Sequence, residues 1–334
     1  MPTRVAVIGA GSWGTTVAAL AARRVSTILW ARNPALADEI DTAHVNSAYL
    51  PGHELPPELR GSSSLEECVS DADVIVMGVP SHGMRATLGR LAPHVRPGVP
   101  VVSLAKGLEQ GSHLRMTQVV GEELPGHPAG VLTGPNLARE IMCGHAAASV
   151  VAFTDDDVCI DMQALFTGDM FRVYSHHDVA GCEVAGALKN VMAIASGMAD
   201  GLGTGDNTRA AVITRGLAEL SRLGVAMGGE EMTFAGLAGM GDLVATCISP
   251  QSRNRYVGEQ LGRGRTMAEI VAEMNMVAEG VKTSAVVVEL AERYGVDMPI
   301  AAEVYAVVHE GRPAEEAYRG LLCRLPRREH QVAT

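Results

Sequence analysis

Two lysines and one aspartate stand in segments otherwise composed for burial. Lys189 lies in Glu183-Val184-Ala185-Gly186-Ala187-Leu188-Lys189-Asn190-Val191-Met192-Ala193-Ile194-Ala195, where small and apolar residues would cover nearly the whole circumference of a helix. A cation there is costly unless paired. Desolvation would lower its pKa toward neutrality, the range that suits a general acid or base acting on an alcohol or ketone. Half of a structural ion pair is the other reading of the same lysine. Asp242, in the glycine-rich run Gly236-Leu237-Ala238-Gly239-Met240-Gly241-Asp242, could be its partner or could cap the next helix. Lys106, in Ser103-Leu104-Ala105-Lys106-Gly107, directly follows an apolar run, where open α/β sheets place their ligands; a lysine lying along a surface loop fits as well. Farther on, Ser252-Arg253-Asn254-Arg255 gathers donors without an acidic neighbour in sequence, as a phosphate site or a solvated basic loop would.

A second kind of chemistry is written near the start. Gly9-Ala10-Gly11-Ser12-Trp13-Gly14 follows the apolar run Val5-Ala6-Val7-Ile8 and opens a helix-like segment. In that context the first glycine permits a tight turn and the second lets backbone approach a pyrophosphate. The third lets helix pack on strand. At the end of the next β-like run the chain reads Trp30-Ala31-Arg32-Asn33, with arginine rather than the acidic residue that would bind a ribose 2′-hydroxyl. Arg32 there can pair with a 2′-phosphate, so NADP(H) is expected in preference to NAD(H), which stays possible.

The elements that must position these residues follow from periodicity. Strands are expected at Arg4 to Ile8, Thr27 to Trp30, Val74 to Met77, Val101 to Leu104, Gly130 to Leu132, Ala147 to Val151 and Phe171 to Tyr174, alternating with helical segments as in a parallel sheet covered by helices. From about Asp178 only helical spacing remains. The reading is an α/β dinucleotide-binding domain over 1–177, an all-helical substrate domain over 178–325 and a frayed tail over 326–334. The 334 residues carry 27 Lys plus Arg against 38 Asp plus Glu, a net charge of −11, which disfavours a general role on nucleic acid or anionic membrane. The six cysteines are dispersed with no CxxC pair, so neither a zinc ribbon nor a redox motif is expected, and a reducing cytoplasm is the simplest setting. The apolar run at the N-terminus is too short for a signal segment, and Val184 to Ala199 is interrupted by Lys189 and Asn190, against a membrane span.

Taken together, Gly-Ala-Gly-Ser-Trp-Gly-Thr from Gly9, Ala-Lys-Gly-Leu-Glu from Ala105, Gly-Pro-Asn from Gly134, Gly-Ala-Leu-Lys-Asn from Gly186, Gly-Leu-Ala-Gly-Met-Gly-Asp from Gly236 and Ser-Arg-Asn-Arg from Ser252 resemble bacterial NAD(P)-dependent glycerol-3-phosphate dehydrogenase, in order from Val5 to at least Glu279. The resemblance implies a Rossmann domain followed by a helical domain of the kind seen in 6-phosphogluconate dehydrogenase. It implies interconversion of dihydroxyacetone phosphate and sn-glycerol 3-phosphate for phospholipid synthesis, by direct hydride transfer and with no metal. Carried over by motif, Lys189 is the proton acceptor, Asp242 holds its ammonium or the substrate hydroxyls, and Lys106 touches substrate and cofactor. Gly134, Asn136 and Asn190 belong to the substrate site, and Ser252, Arg253 and Asn254 grip the phosphate. Gly9, Gly11, Ser12, Trp13, Gly14, Arg32, Tyr49, Lys106, Ala138, Arg253, Val277 and Glu279 contact the nucleotide. Asn136 stands where bacterial members often carry Ser or Thr. A related β-hydroxyacid dehydrogenase and a non-catalytic NADP-binding sensor remain as other readings, and a homodimer is open.

Overall fold

The computed structural model describes residues 2–274 and 278–322; Val277 and the expected tail from Pro326 lie outside them. Eight strands form one sheet: β1 (Arg4–Ile8), β2 (Ser26–Trp30), β3 (Leu59–Ser62), β4 (Val74–Met77), β5 (Val101–Ser103), β6 (Ala129–Thr133), β7 (Ala147–Ala152) and β8 (Phe171–His176). Their order is β3-β2-β1-β4-β5-β6-β7-β8. The strand order reverses beside β1, so a crevice opens at the carboxyl ends of β1 and β4, where α/β sheets bind ligands.

Alternation sends β1 side chains to both faces: Val5 and Val7 join one buried cluster, Ala6 and Ile8 another. With both faces covered, the strands read as continuous apolar runs, which is why sequence found them. Two features depart from the expectation. β3 was not foreseen, because Leu59-Arg60-Gly61-Ser62 at the sheet edge has neither an apolar run nor clean alternation. The sheet is also not wholly parallel: β7 runs antiparallel to β6, and β8 follows β7. Strand direction is invisible to composition.

From Val179 onward every element among the described residues is a helix or helical turn. Compactness divides the chain differently from secondary structure, into one unit of 1–189 with 220–245 and another of 190–219 with 246–334. The long helix Val179–Gly201 passes from the first to the second. By length and composition alone it could cross a membrane, but 94% of its most apolar window is buried, as in a core helix. In the second unit this helix meets Arg253–Gly262 with backbones nearly touching: a Cβ on Gly197 would fall 2.0 Å from the Arg255 carbonyl oxygen.

The dinucleotide loop shows the same economy of space. Gly14, in the first turn of helix Ser12–Ala22, packs so that a Cβ would sit 2.1 Å from the Gly9 carbonyl oxygen, whereas a Cβ on Gly11 would meet nothing within 4 Å. Gly14→Ala should therefore cost about 1–3 kcal/mol through overpacking against rigid backbone, and Gly11→Ala less than about 0.5 kcal/mol. Thermal melts of the two variants check this contrast; equal melting temperatures would contradict it.

Candidate active site

Asp242 opens the helix Asp242–Ile248 directly after a π-helical turn, Leu237–Gly241, and is 1% exposed. Both of its oxygens are used. Oδ1 accepts from Lys189 Nζ, and Oδ2 accepts from Lys106 Nζ at 2.6 Å. Lys106 also donates to the Gly134 carbonyl at 2.8 Å. All these residues lie within the first compact unit. The helix around Lys189 carries small and apolar residues over nearly its whole circumference, and Lys189 is 4% exposed. Burial draws the Lys189 ammonium down to about 8, against the pull of Asp242, and the Lys106 ammonium nearby lowers it further. Asp242 is thus the carboxylate partner of Lys189, and it is also the first residue of its helix.

Lys106 sits just beyond β5, and the loop that carries it is braced. Arg85 donates from Nε and Nη2 to the two Glu109 oxygens at 2.8 Å each, and from Nη1 to Glu123 at 2.7 Å. Such a bidentate pair fixes orientation as well as charge. Glu109 closes the Ala-Lys-Gly-Leu-Glu motif, but nothing in the sequence pointed to Arg85 or Glu123 as its partners in this brace. Gly134 follows β6 with φ of +134°, and Asn136 comes two residues later.

At the crevice, helix Ser12–Ala22 begins at Gly11 with no acidic residue in its first turn, leaving its N–H groups and dipole for an anion. Asn46, missed in sequence, ties this loop by donating to the Ala10 carbonyl at 2.9 Å and to Thr15 Oγ1 at 2.8 Å. Ser12 Oγ donates to the Tyr49 carbonyl at 2.8 Å, so Ser12 and Tyr49 are neighbours. Trp13 packs edge-on against Phe171, and its buried Nε1 has no partner among the described residues. Arg32 is exposed just past β2, and Ala138 starts the short helix Ala138–Met142. The open space at Gly11, the uncommitted indole donor and the bare helix end fit a dinucleotide.

In the second unit, Asn254 Nδ2 donates to Asn190 Oδ1 at 2.9 Å, and Asn254 Oδ1 accepts from the Gly280 N–H at 2.9 Å. Ser252 caps its helix by accepting from the Arg255 N–H. Arg253 is exposed in the first turn, and Glu279 begins the helix Glu279–Tyr294. One expectation is corrected here. Arg255 does have acidic neighbours: its guanidinium binds Asp200 at 2.8 Å and approaches Glu259, so it is not a phosphate donor. These carboxylates come from outside the motif or one turn later, beyond the local window. Among the described residues no group of three or more His, Cys, Asp or Glu could hold a metal ion.

The family model for the NAD-dependent glycerol-3-phosphate dehydrogenase N-terminus matches residues 4–159, and that for its C-terminus matches residues 178–319. The chain belongs to the NAD-dependent glycerol-3-phosphate dehydrogenase family. Among relatives in this family, glycerol-3-phosphate dehydrogenase [NAD(P)+] 2 of Sphingopyxis alaskensis is 56% identical over 96% of this chain and 97% of its own. The corresponding enzyme of Mycobacterium avium is 55% identical over 98% and 96%. The solved structure of glycerol-3-phosphate dehydrogenase from Coxiella burnetii superposes with a TM-score of 0.92 at 36% identity, covering 96% of this chain and 99% of that one.

Within this glycerol-3-phosphate dehydrogenase family chain, the structure thus gathers Lys106, Lys189, Asp242 and Gly134 in one unit, and Asn190 and Asn254 in the other. Lys189 and Asn190 are consecutive residues of one helix. Because Lys106 keeps its hold on Oδ2, Lys189→Met leaves the Asp242 carboxylate with a partner and should cost well under the about 3–5 kcal/mol typical of breaking a buried pair. Asp242→Ala removes the carboxylate that both lysines bind and should reach that range. Urea unfolding of the two variants tests the order; a larger loss for Lys189→Met would refute it.

Proposed function

We propose that the chain reduces dihydroxyacetone phosphate to sn-glycerol 3-phosphate with NADPH or NADH, reversibly, and so supplies the backbone of glycerophospholipids. One observation carries this reading in a chain of this family: a buried Lys189 whose ammonium is held by Asp242 and drawn down to about 8. A proton donor in that range works near neutral pH in both directions.

When bound, the nicotinamide supplies the hydride that joins substrate C2. Gly9, Gly11, Ser12, Trp13 and Gly14 hold the dinucleotide at the crevice, with Tyr49, Ala138, Val277 and Glu279 as further contacts. Arg32 pairs with a 2′-phosphate and favours NADPH. In reduction, Lys189 gives its Nζ proton to the oxygen on C2; in oxidation it takes that proton back. Asp242 fixes Nζ, and Lys106 places a second ammonium near the same oxygen. Two ammoniums against one carboxylate leave net positive charge, which stabilises the negative charge developing on oxygen.

Asn190, Ser252, Arg253 and Asn254 take the phosphate end. Asn254 retains one N–H for it, since its carbonyl and the other N–H are spent on Gly280 and Asn190. The acidic chain favours neither nucleic acid nor membrane as partner, and scattered cysteines suit a reducing cytoplasm.

The absorbance of NADPH followed with dihydroxyacetone phosphate tests the function. Unphosphorylated dihydroxyacetone should be poorer by about 10- to 100-fold in kcat/KM, the worth of one lost charged hydrogen bond; comparable values for the two ketones would sink the phosphate assignment. The pH profile tests the acid. Reduction needs the Lys189 ammonium, so its kcat/KM should be flat below and fall as pH rises through about 8. Oxidation needs the neutral amine and should rise over the same interval. Parallel profiles in the two directions would exclude Lys189 as the proton donor and acceptor.

A further inference from the structure

Beside Lys106 lies a buried polar relay that the mechanism does not use. Thr133 ends β6, Ser149 lies in the antiparallel β7, and they are 1% and 0% exposed. Ser149 Oγ is 2.7 Å from the Thr133 carbonyl, which has no hydrogen to offer, so the Ser149 hydroxyl must donate. Its one proton is thereby spent. Toward Asn136, 3.2 Å away, Ser149 Oγ can only accept, which requires the NH2 side of the amide to face it. Asn and Gln amides are normally ambiguous between O and N, but here the count of protons decides. Amide planarity then turns Asn136 Oδ1 away from Ser149. That oxygen is buried and has no partner among the described residues, and the same holds for Thr133 Oγ1. A buried acceptor without a donor is costly, so a fixed amide with a free Oδ1 is prepared for an incoming hydrogen. Between Thr133 and Asn136 stands Gly134, whose carbonyl accepts from Lys106 at 2.8 Å. Thr133 Oγ1 lies by Gly186, 3.1 Å from where a Cβ on that glycine would be, and Lys106 Cγ is 3.7 Å from the same point.

We propose that Ser149 is a positioning residue that holds the Asn136 amide so that Oδ1 accepts a hydroxyl hydrogen of the triose substrate. This rests on the functional reading above. It makes Asn136 a reader of the hydroxymethyl group beside the ketone, since a site with a fixed acceptor discriminates against a substrate lacking the donor. Ser149 itself touches no substrate.

A double-mutant cycle tests the inference, read as kcat/KM for dihydroxyacetone phosphate, with NADPH Kd and melting temperature measured alongside. Ser149→Ala should lower kcat/KM by about tenfold, the scale of one misdirected hydrogen bond, with NADPH Kd unchanged. In an Asn136→Ala background the same substitution should change it by less than about twofold, because there is no amide left to orient. Ser149→Thr, which keeps the hydroxyl, should restore most of the activity. An equal loss from Ser149→Ala in both backgrounds would show a role independent of the amide and overturn the inference. So would a Ser149→Ala enzyme with wild-type kcat/KM alongside an impaired Asn136→Ala enzyme. In either case the unmodified enzyme still turns over dihydroxyacetone phosphate and the functional reading stands. An unmodified enzyme inactive on that ketone would overturn the functional reading, and this inference with it.

Discussion

A single carboxylate sets the terms for the reactive part of this chain. Asp242 is almost fully buried, and an isolated charge in such a place is prohibitively costly, so its existence demands cations that reach it from elsewhere. Lys106 arrives from the carboxyl edge of β5 and Lys189 from the middle of a helix, and each takes one oxygen. The sheet edge, the helix register and the π-helical turn before Asp242 must all be right for those contacts to form. π turns are rare and concentrate at functional sites, because the extra residue re-aims a side chain without ending the helix.

Burial is the largest influence on the lysine of that trio. It outweighs the pull of Asp242, and the repulsion from Lys106 adds to it, so the Lys189 ammonium is drawn down to about 8. The chain as a whole is at −11, a poor field for attracting an anionic substrate. Local cations must therefore do the attracting, and burial in low dielectric is what lets so few suffice.

How much of this was legible in sequence depended on whether a signal was local. β1, β4 and β5 were found because buried parallel strands are apolar throughout, and the glycine loop because strand, turn and helix adjoin. Lys189 stood out as a charge in an apolar helix, and Asp242 as a carboxylate in a glycine-rich run. Arg255 misled for the converse reason: its partner Asp200 is remote in sequence, so a donor-rich motif looked unpaired. β3 was missed because an edge strand needs no apolar signature, and β7 was found but not its direction. Asn46, Arg85 and Ser149 left no trace, since each acts by bonding to groups far along the chain, and a polar residue in a loop or strand carries no mark of that.

Those unread residues share a task, which explains why the chemistry can rest on few groups. Precise catalysis needs reacting groups held to a fraction of an ångström, and a lysine has four rotatable bonds to lose. Lys189 is immobilised by its helix and its neighbours. Lys106, on a loop, is not, and its restraint is supplied by Arg85 gripping Glu109 and Glu123 on one side and by the Gly134 carbonyl on the other. The dinucleotide loop is likewise held by Asn46 from a segment 36 residues away. Each brace spans distant stretches of chain and forms only once the sheet is assembled. The geometry of the site is therefore a consequence of the whole first unit folding, while the identity of its reactive groups is written locally.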